Sequence, residues 1–137
     1  MAGGPLRLTR IDLPFLLGTA LTSDRKRVKA IGDIAHFLFG FLFSLGYFAI
    51  LWAVGRSGWL LGAALGLAHG AFAGAASVNV LLPLVHPMGD SMSASDTVAH
   101  LERPGFLMLN YGRRKPVVVL VAHIASGAIV GGFIALS

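Results

Sequence analysis

Three histidines stand where ionisable side chains are rare: His36, His69 and His123 each lie in a long apolar stretch free of Asp, Glu, Lys and Arg. An imidazole surrounded by hydrocarbon is costly to charge, so each ring is expected to face protein, a cavity or a ligand. Such a ring can hydrogen-bond a neighbouring helix, relay a proton or give a nitrogen lone pair to a metal. Two facing imidazoles can hold haem iron axially, and one can hold the magnesium of a chlorophyll-type pigment. Haem or such a pigment is therefore the cofactor class that histidine allows here.

Other chemistries are excluded or unsupported. The chain has no cysteine, which removes disulfides, iron–sulfur clusters, thiolate zinc sites and covalent haem attachment, since each needs sulfur. It has no phosphate-binding Gly-rich loop, no zinc-protease histidine pair and no paired carboxylates within an apolar stretch. Ser91, Ser93, Ser95, Asp96 and His100 share one segment, but no nucleophile elbow organises them. No complete catalytic constellation is present, and the expectation is a non-enzyme.

The elements that carry the histidines are set by composition. The 137 residues are 55% hydrophobic and 12% charged, with a mean hydropathy of +0.77, far more apolar than a soluble domain of this size. Crossing a hydrocarbon core takes about 20 apolar residues as a helix. Stretches 31–54, 58–85 and 116–136 satisfy that, so the fold class expected is an all-α membrane protein with three transmembrane helices. The run 11–22 contains Pro14 and is about half the necessary length, which predicts a short N-terminal interfacial segment. The charge order following it does not fit a cleavable signal. Ser23 or Asp24 can cap a helix running on into the first span.

Of eleven basic residues, ten fall before the first span or between the second and third, and only Arg56 lies in the opposite turn. The positive-inside rule then predicts a cytoplasmic N-terminus, a cytoplasmic loop 86–115 and an outside C-terminus in a bacterial inner membrane. Trp52 and Trp59 flank the outer turn, at the level that indole rings favour. Basic residues collected at helix ends argue against nucleic acid as a partner, despite a net charge of +5. Within the loop, Asp96 can start a short helix ending near Pro104, and Phe106–Leu109 with Tyr111 are expected at the membrane surface.

Gly62, Gly66, Gly70 and Gly74 recur every fourth residue on the second span. Small residues at this interval form a groove along one helix face and let another backbone approach closely. Gly127 and Gly131 on the third span, or Gly40 and Ser44 on the first, can supply the matching face. Counting about 1.5 Å per residue from the loop ends of the helices puts His36 and His123 level at about 8–11 Å, with His69 at about 20 Å. The expectation is a lower cluster of Asp33, His36, Asn79 and His123, apart from His69, which has Ser44 and Tyr47 near its own depth.

Several local patterns coincide: Asp12-Leu13-Pro14 through Gly18-Thr19, Ala35-His36 with Gly40, Leu67-Ala68-His69-Gly70, His86-Pro87, Leu109-Asn110-Tyr111-Gly112, and Ala122-His123 with Gly127. Together they resemble a family of small bacterial multi-helix integral membrane proteins, from about Thr9 to Gly131. Members often carry a further apolar helix before the Asp-Leu-Pro segment, so this copy is expected to be shortened. They also carry a basic residue after His-Pro, where this chain has Met88-Gly89. The family supplies no activity. The functional expectation is an accessory subunit of a larger bacterial membrane complex, respiratory, photosynthetic or oxygenase in type, packing against other membrane subunits through its glycine faces. The alternatives are a histidine-ligated haem or pigment protein, and a self-associating channel or carrier.

Overall fold

The computed structural model describes residues 12–89 and 101–137. Four helices follow in order: α1 (Leu13–Leu21), α2 (Arg25–Val54), α3 (Trp59–Val85) and α4 (Lys115–Leu136). The last three are long and apolar enough to cross a membrane. This is an all-α membrane protein.

Each helix start has a local cause. The Asp12 carboxylate accepts from the Phe15 N–H at 2.9 Å, with Pro14 in the first turn of α1. Asp24 caps α2 by accepting from the Lys26 N–H at 2.9 Å. α2 ends on Gly55 in the left-handed region (φ 67°), a conformation that favours glycine. Trp52 and Trp59 stay exposed on either side of that turn.

The short N-terminal helix docks on α2 instead of standing alone. At Gly18 an added Cβ would overlap the carbonyl of Val28, and at Gly32 it would overlap that of Pro14. The two backbones therefore touch where both helices present glycine. Leu16 and Val28 are buried at this contact, and the Thr19 hydroxyl is satisfied by the Leu16 carbonyl at 2.6 Å.

α3 and α4 form the most extensive helix pair. An added Cβ at Gly62 would overlap Gly127 O, and one at Gly66 would overlap His123 O. Gly127 and Gly131 return the contact against Gly62 and Gly58. Gly40, by contrast, has nothing within 4 Å of an added Cβ, and the Ser44 hydroxyl donates to Gly40 O of its own helix at 2.8 Å. The matching face thus comes from the third span. The expected packing role of Gly40 is not realised, because α2 stands away from this seam.

Between Trp59–Phe72 and Leu82–Val85, α3 widens into a π-helix over Ala73–Leu81. Two side chains account for it. Pro83 has no N–H for the carbonyl of Asn79, and Asn79 Nδ2 donates to Ala75 O at 2.8 Å, engaging the carbonyl that its own backbone N–H would serve in an α-helix. The same amide donates to Gly105 O, also at 2.8 Å, tying the widened turn to the following loop.

The described residues of that loop are folded. Leu101–Glu102 pairs in parallel with Met88–Gly89, and Phe106–Tyr111 forms a 3₁₀ turn. Leu101, Met108 and Tyr111 are almost fully buried and join Leu16, Val28, Val78, Leu82 and Val119 in one core. The Tyr111 hydroxyl donates to Glu102 O. Burial, reinforced by the nearby Glu102 carboxylate, raises the Tyr111 pKa well above the ordinary tyrosine value. Two expectations change here. Residues 101–102 are strand where a helix was expected, and Tyr111 is buried in the core while Phe106 and Leu109 stay exposed. The expected helix start at Asp96 lies outside the described residues.

Candidate functional site: a histidine-lined cleft between the spans

α2 runs beside the α3–α4 pair with few contacts to either helix, leaving a cleft of about 470 Å³. All four helices line it, and among the described residues no Asp, Glu, Lys or Arg does. Its size falls in the range of small-molecule sites, about 300–1,000 Å³. Leu17, Phe39, Phe72 and Leu81 contribute to an apolar wall, and the polar groups on it are His36, Ser44, Tyr47, His69, Ser77, His123 and Ser126.

The three histidines share this one cleft. His69 and His123 are in direct ring contact, edge to face, with centroids 4.8 Å apart and planes at 84°. Phe43 covers His69 with centroids 3.9 Å apart. Tyr47 OH meets His69 Nδ1 at 2.9 Å and links α2 to α3. His36 faces the same cleft from α2 and makes no hydrogen bond among the described residues.

The expected separation of His69 from His123 is therefore corrected. Depth counting treated the loop ends of α3 and α4 as level. Gly66 faces His123 and Ile124, so the start of α4 lies near the level of Gly74, which faces Leu107 and Val119. Beyond that level α3 continues through the π-helical segment to Val85. The folded loop climbs back along this stretch before α4 begins.

The expected four-residue polar cluster does not form as a unit. Asn79 donates to Ala75 O and Gly105 O, and Asp33 is an exposed partner of Lys29 at 3.3 Å. Only His36 and His123 of that group line the cleft. Tyr47 is bonded to His69, whereas Ser44 turns back to its own helix.

Hydrogen-bond roles fix the tautomer of one ring. His123 Nδ1 lies 2.7 Å from Val119 O, and a carbonyl oxygen only accepts, so in the neutral ring Nδ1 carries the proton and Nε2 a lone pair. That nitrogen has no hydrogen-bond partner among the described residues. No buried side-chain N or O atom there lacks a partner, so Nε2 is open to the surroundings.

No family model, curated protein or solved structure matches this chain. The site's chemistry therefore stands on its own geometry.

No group of three or more His, Cys, Asp or Glu among the described residues is placed to hold a metal ion. A macrocycle cannot lie between His69 and His123, whose rings touch. Ser91, Ser93, Ser95, Asp96 and His100 lie outside the described residues. His86, in the His86-Pro87 motif, is buried with Nδ1 2.9 Å from Pro87 O and is not among the cleft-lining residues.

Sequence reasoning missed the Gly18–Gly32 contact, the π-helix and the buried loop. Signals existed for the first two. Pro14 and Gly18 share an interval of four with Val28 and Gly32, and Asn79 precedes Pro83 by four.

Proposed function

We propose that this chain is a non-catalytic membrane protein that holds one apolar molecule in the cleft between its spans. The observation that supports this most is the cleft of about 470 Å³, with no charged side chain among the described residues that line it and with three histidines and Tyr47 on a largely apolar wall. A uniformly apolar groove would suit any acyl chain. Tyr47, His69 and His123 meet at one depth, and polar groups gathered at one level give an apolar ligand an orientation.

Native mass spectrometry of protein extracted in mild detergent tests this reading. One lipophilic adduct per chain, released by stronger detergent, supports it; bare chain from several mild extractions contradicts it. An absorption spectrum of the same preparation distinguishes a haem or chlorophyll-type pigment held by a single imidazole, since a Soret or pigment band would identify that occupant.

A second reading, a subunit of a larger bacterial membrane complex, is favoured by α2. Only 11% of its most apolar window is buried within the chain, against 33% for α3. That face carries Phe37, Phe41, Phe48 and Trp52 outward. Lipid alone can cover it, so recovery with stoichiometric partner subunits after mild solubilisation is the test. The ten-to-one distribution of basic residues supports insertion with the N-terminus cytoplasmic.

A further inference from the structure

The cleft's own hydrogen-bond inventory narrows what it can hold, given that it binds an apolar molecule as proposed above. First, no charged side chain among the described residues lines it. A carboxylate, phosphate or ammonium head would lie in a low-dielectric wall without a counter-charge, which is costly. The ligand is therefore neutral.

Second, His123 Nε2 offers a lone pair and asks for a donor. A ligand with only carbonyl or ether oxygens would set acceptor against acceptor at this point. Third, the Tyr47–His69 pair holds two polar hydrogens, one on the phenol and one on the imidazole, and their mutual hydrogen bond uses one. Whichever way that bond runs, one donor is left over. The hydroxyls of Ser77 and Ser126 on the wall also make no hydrogen bond among the described residues. The site thus wants a head that donates once and can also accept, which is what a hydroxyl does.

Fourth, Phe43 and Tyr47 lie against His69, and further rings line the same cleft. Phe39, Phe43, Tyr47 and Phe72 line the cleft together with the three imidazoles. Aromatic walls favour a flat ring, through offset or edge-to-face contact, over a flexible glycerol head.

We infer that the cleft takes a quinol-type lipid, a neutral hydroxyl-bearing aromatic ring on an apolar tail, whose hydroxyl donates to Nε2 of His123. Binding alone is inferred, with no electron transfer. The oxidised ring has carbonyls in place of hydroxyls and cannot donate, so the site discriminates between redox states by hydrogen-bond complementarity. Leaving one polar group unpaired lowers affinity by about fivefold or more.

Three probes test this on the unmodified protein in nanodiscs, with empty nanodiscs as the partition control: a short-tailed benzoquinol kept anaerobic, its quinone and its dimethyl ether. The expected result is binding of the quinol at least about fivefold tighter than either of the others. Equal binding of all three, or tighter binding of the quinone, overturns the inference. A ¹⁵N spectrum of the imidazoles gives a second readout. The free protein should show His123 as the Nδ1–H tautomer with its Nε2 resonance shifting on quinol addition; an Nε2–H tautomer overturns the inference. Equal probe binding alongside a co-purifying pigment or other neutral lipid removes the quinol assignment and leaves the binding role standing. A chain that retains nothing and binds no probe removes both.

Discussion

Tyr47 on α2 and His69 on α3 meet through a 2.9 Å hydrogen bond, and this contact bridges the helix that stands apart to the pair that packs closely. It sits at the polar level of the cleft, beside the ring contact of His69 with His123. One bond thus helps hold the cleft's far wall and positions its chemistry.

Removing the phenol should loosen that wall. Tyr47→Phe keeps the ring and loses the bond, so a loss of about 0.6–2 kcal/mol is expected, the range for interhelical hydrogen bonds in membranes. Reversible unfolding in mixed micelles measures it. Unchanged stability would mean that α2 is placed by lipid and loop contacts instead.

The glycine seam predicts position-specific damage. Gly66→Ala puts a methyl group into the His123 carbonyl and forces α3 from α4, an overpacking cost of about 1–3 kcal/mol or more. Gly40→Ala meets nothing within 4 Å and should be neutral or slightly stabilising, because alanine is the better helix former. Thermal unfolding of the two variants checks the contrast. Equal effects would contradict the assignment of the matching face to α4.

Gly32→Ala should act elsewhere. Its methyl group would overlap the Pro14 carbonyl and displace α1 while leaving the α3–α4 seam intact. Hydrogen exchange over Leu13–Leu21 is expected to accelerate, with little change in Trp59–Phe72. Acceleration of both together would show that α1 docking and the seam are one cooperative unit.

Asn79→Leu removes both donations that join the π-helix to the loop, to Ala75 O and Gly105 O. The expected loss is about 1–3 kcal/mol, with faster exchange across 101–112. Asp33→Asn, which weakens only the exposed pair with Lys29, should change stability by less than about 1 kcal/mol. Comparable losses would contradict the separate roles given to these residues.

Tyr111 makes alkaline titration informative. Its folded pKa is raised by burial, with Glu102 adding to the effect, so the folded state keeps the proton where the unfolded chain would lose it. The associated stability is fully present below about pH 10, the unfolded value, and is lost as pH rises through the folded one. In a Tyr47→Phe background Tyr111 is the remaining tyrosine. Phenolate absorbance should stay absent well past pH 10 until unfolding begins. Ordinary titration near pH 10 would mean that the loop is not packed around it.

Much of the helical plan was legible because it depends on runs of residue type. Spans, the Asp24 cap and the Gly62–Gly127 seam follow from apolar length, capping chemistry and an interval of four. The histidine geometry was not legible, since it depends on how far α3 extends past the start of α4. That offset is set by a loop that climbs back along the helix, held by Asn79, Met108 and Tyr111. Asn79 illustrates the difficulty: an amide at membrane depth reads as a site residue, yet both its donations go to backbone carbonyls.

The space between α2 and the α3–α4 pair is proposed above as a ligand site. A density map of the protein in nanodiscs, prepared without strong detergent, tests it most directly. Continuous elongated density is expected in the cleft, with its polar end against Tyr47, His69 and His123. α2 collapsed onto α3 and α4 with the cleft closed, or a cleft holding only disordered solvent, would contradict it.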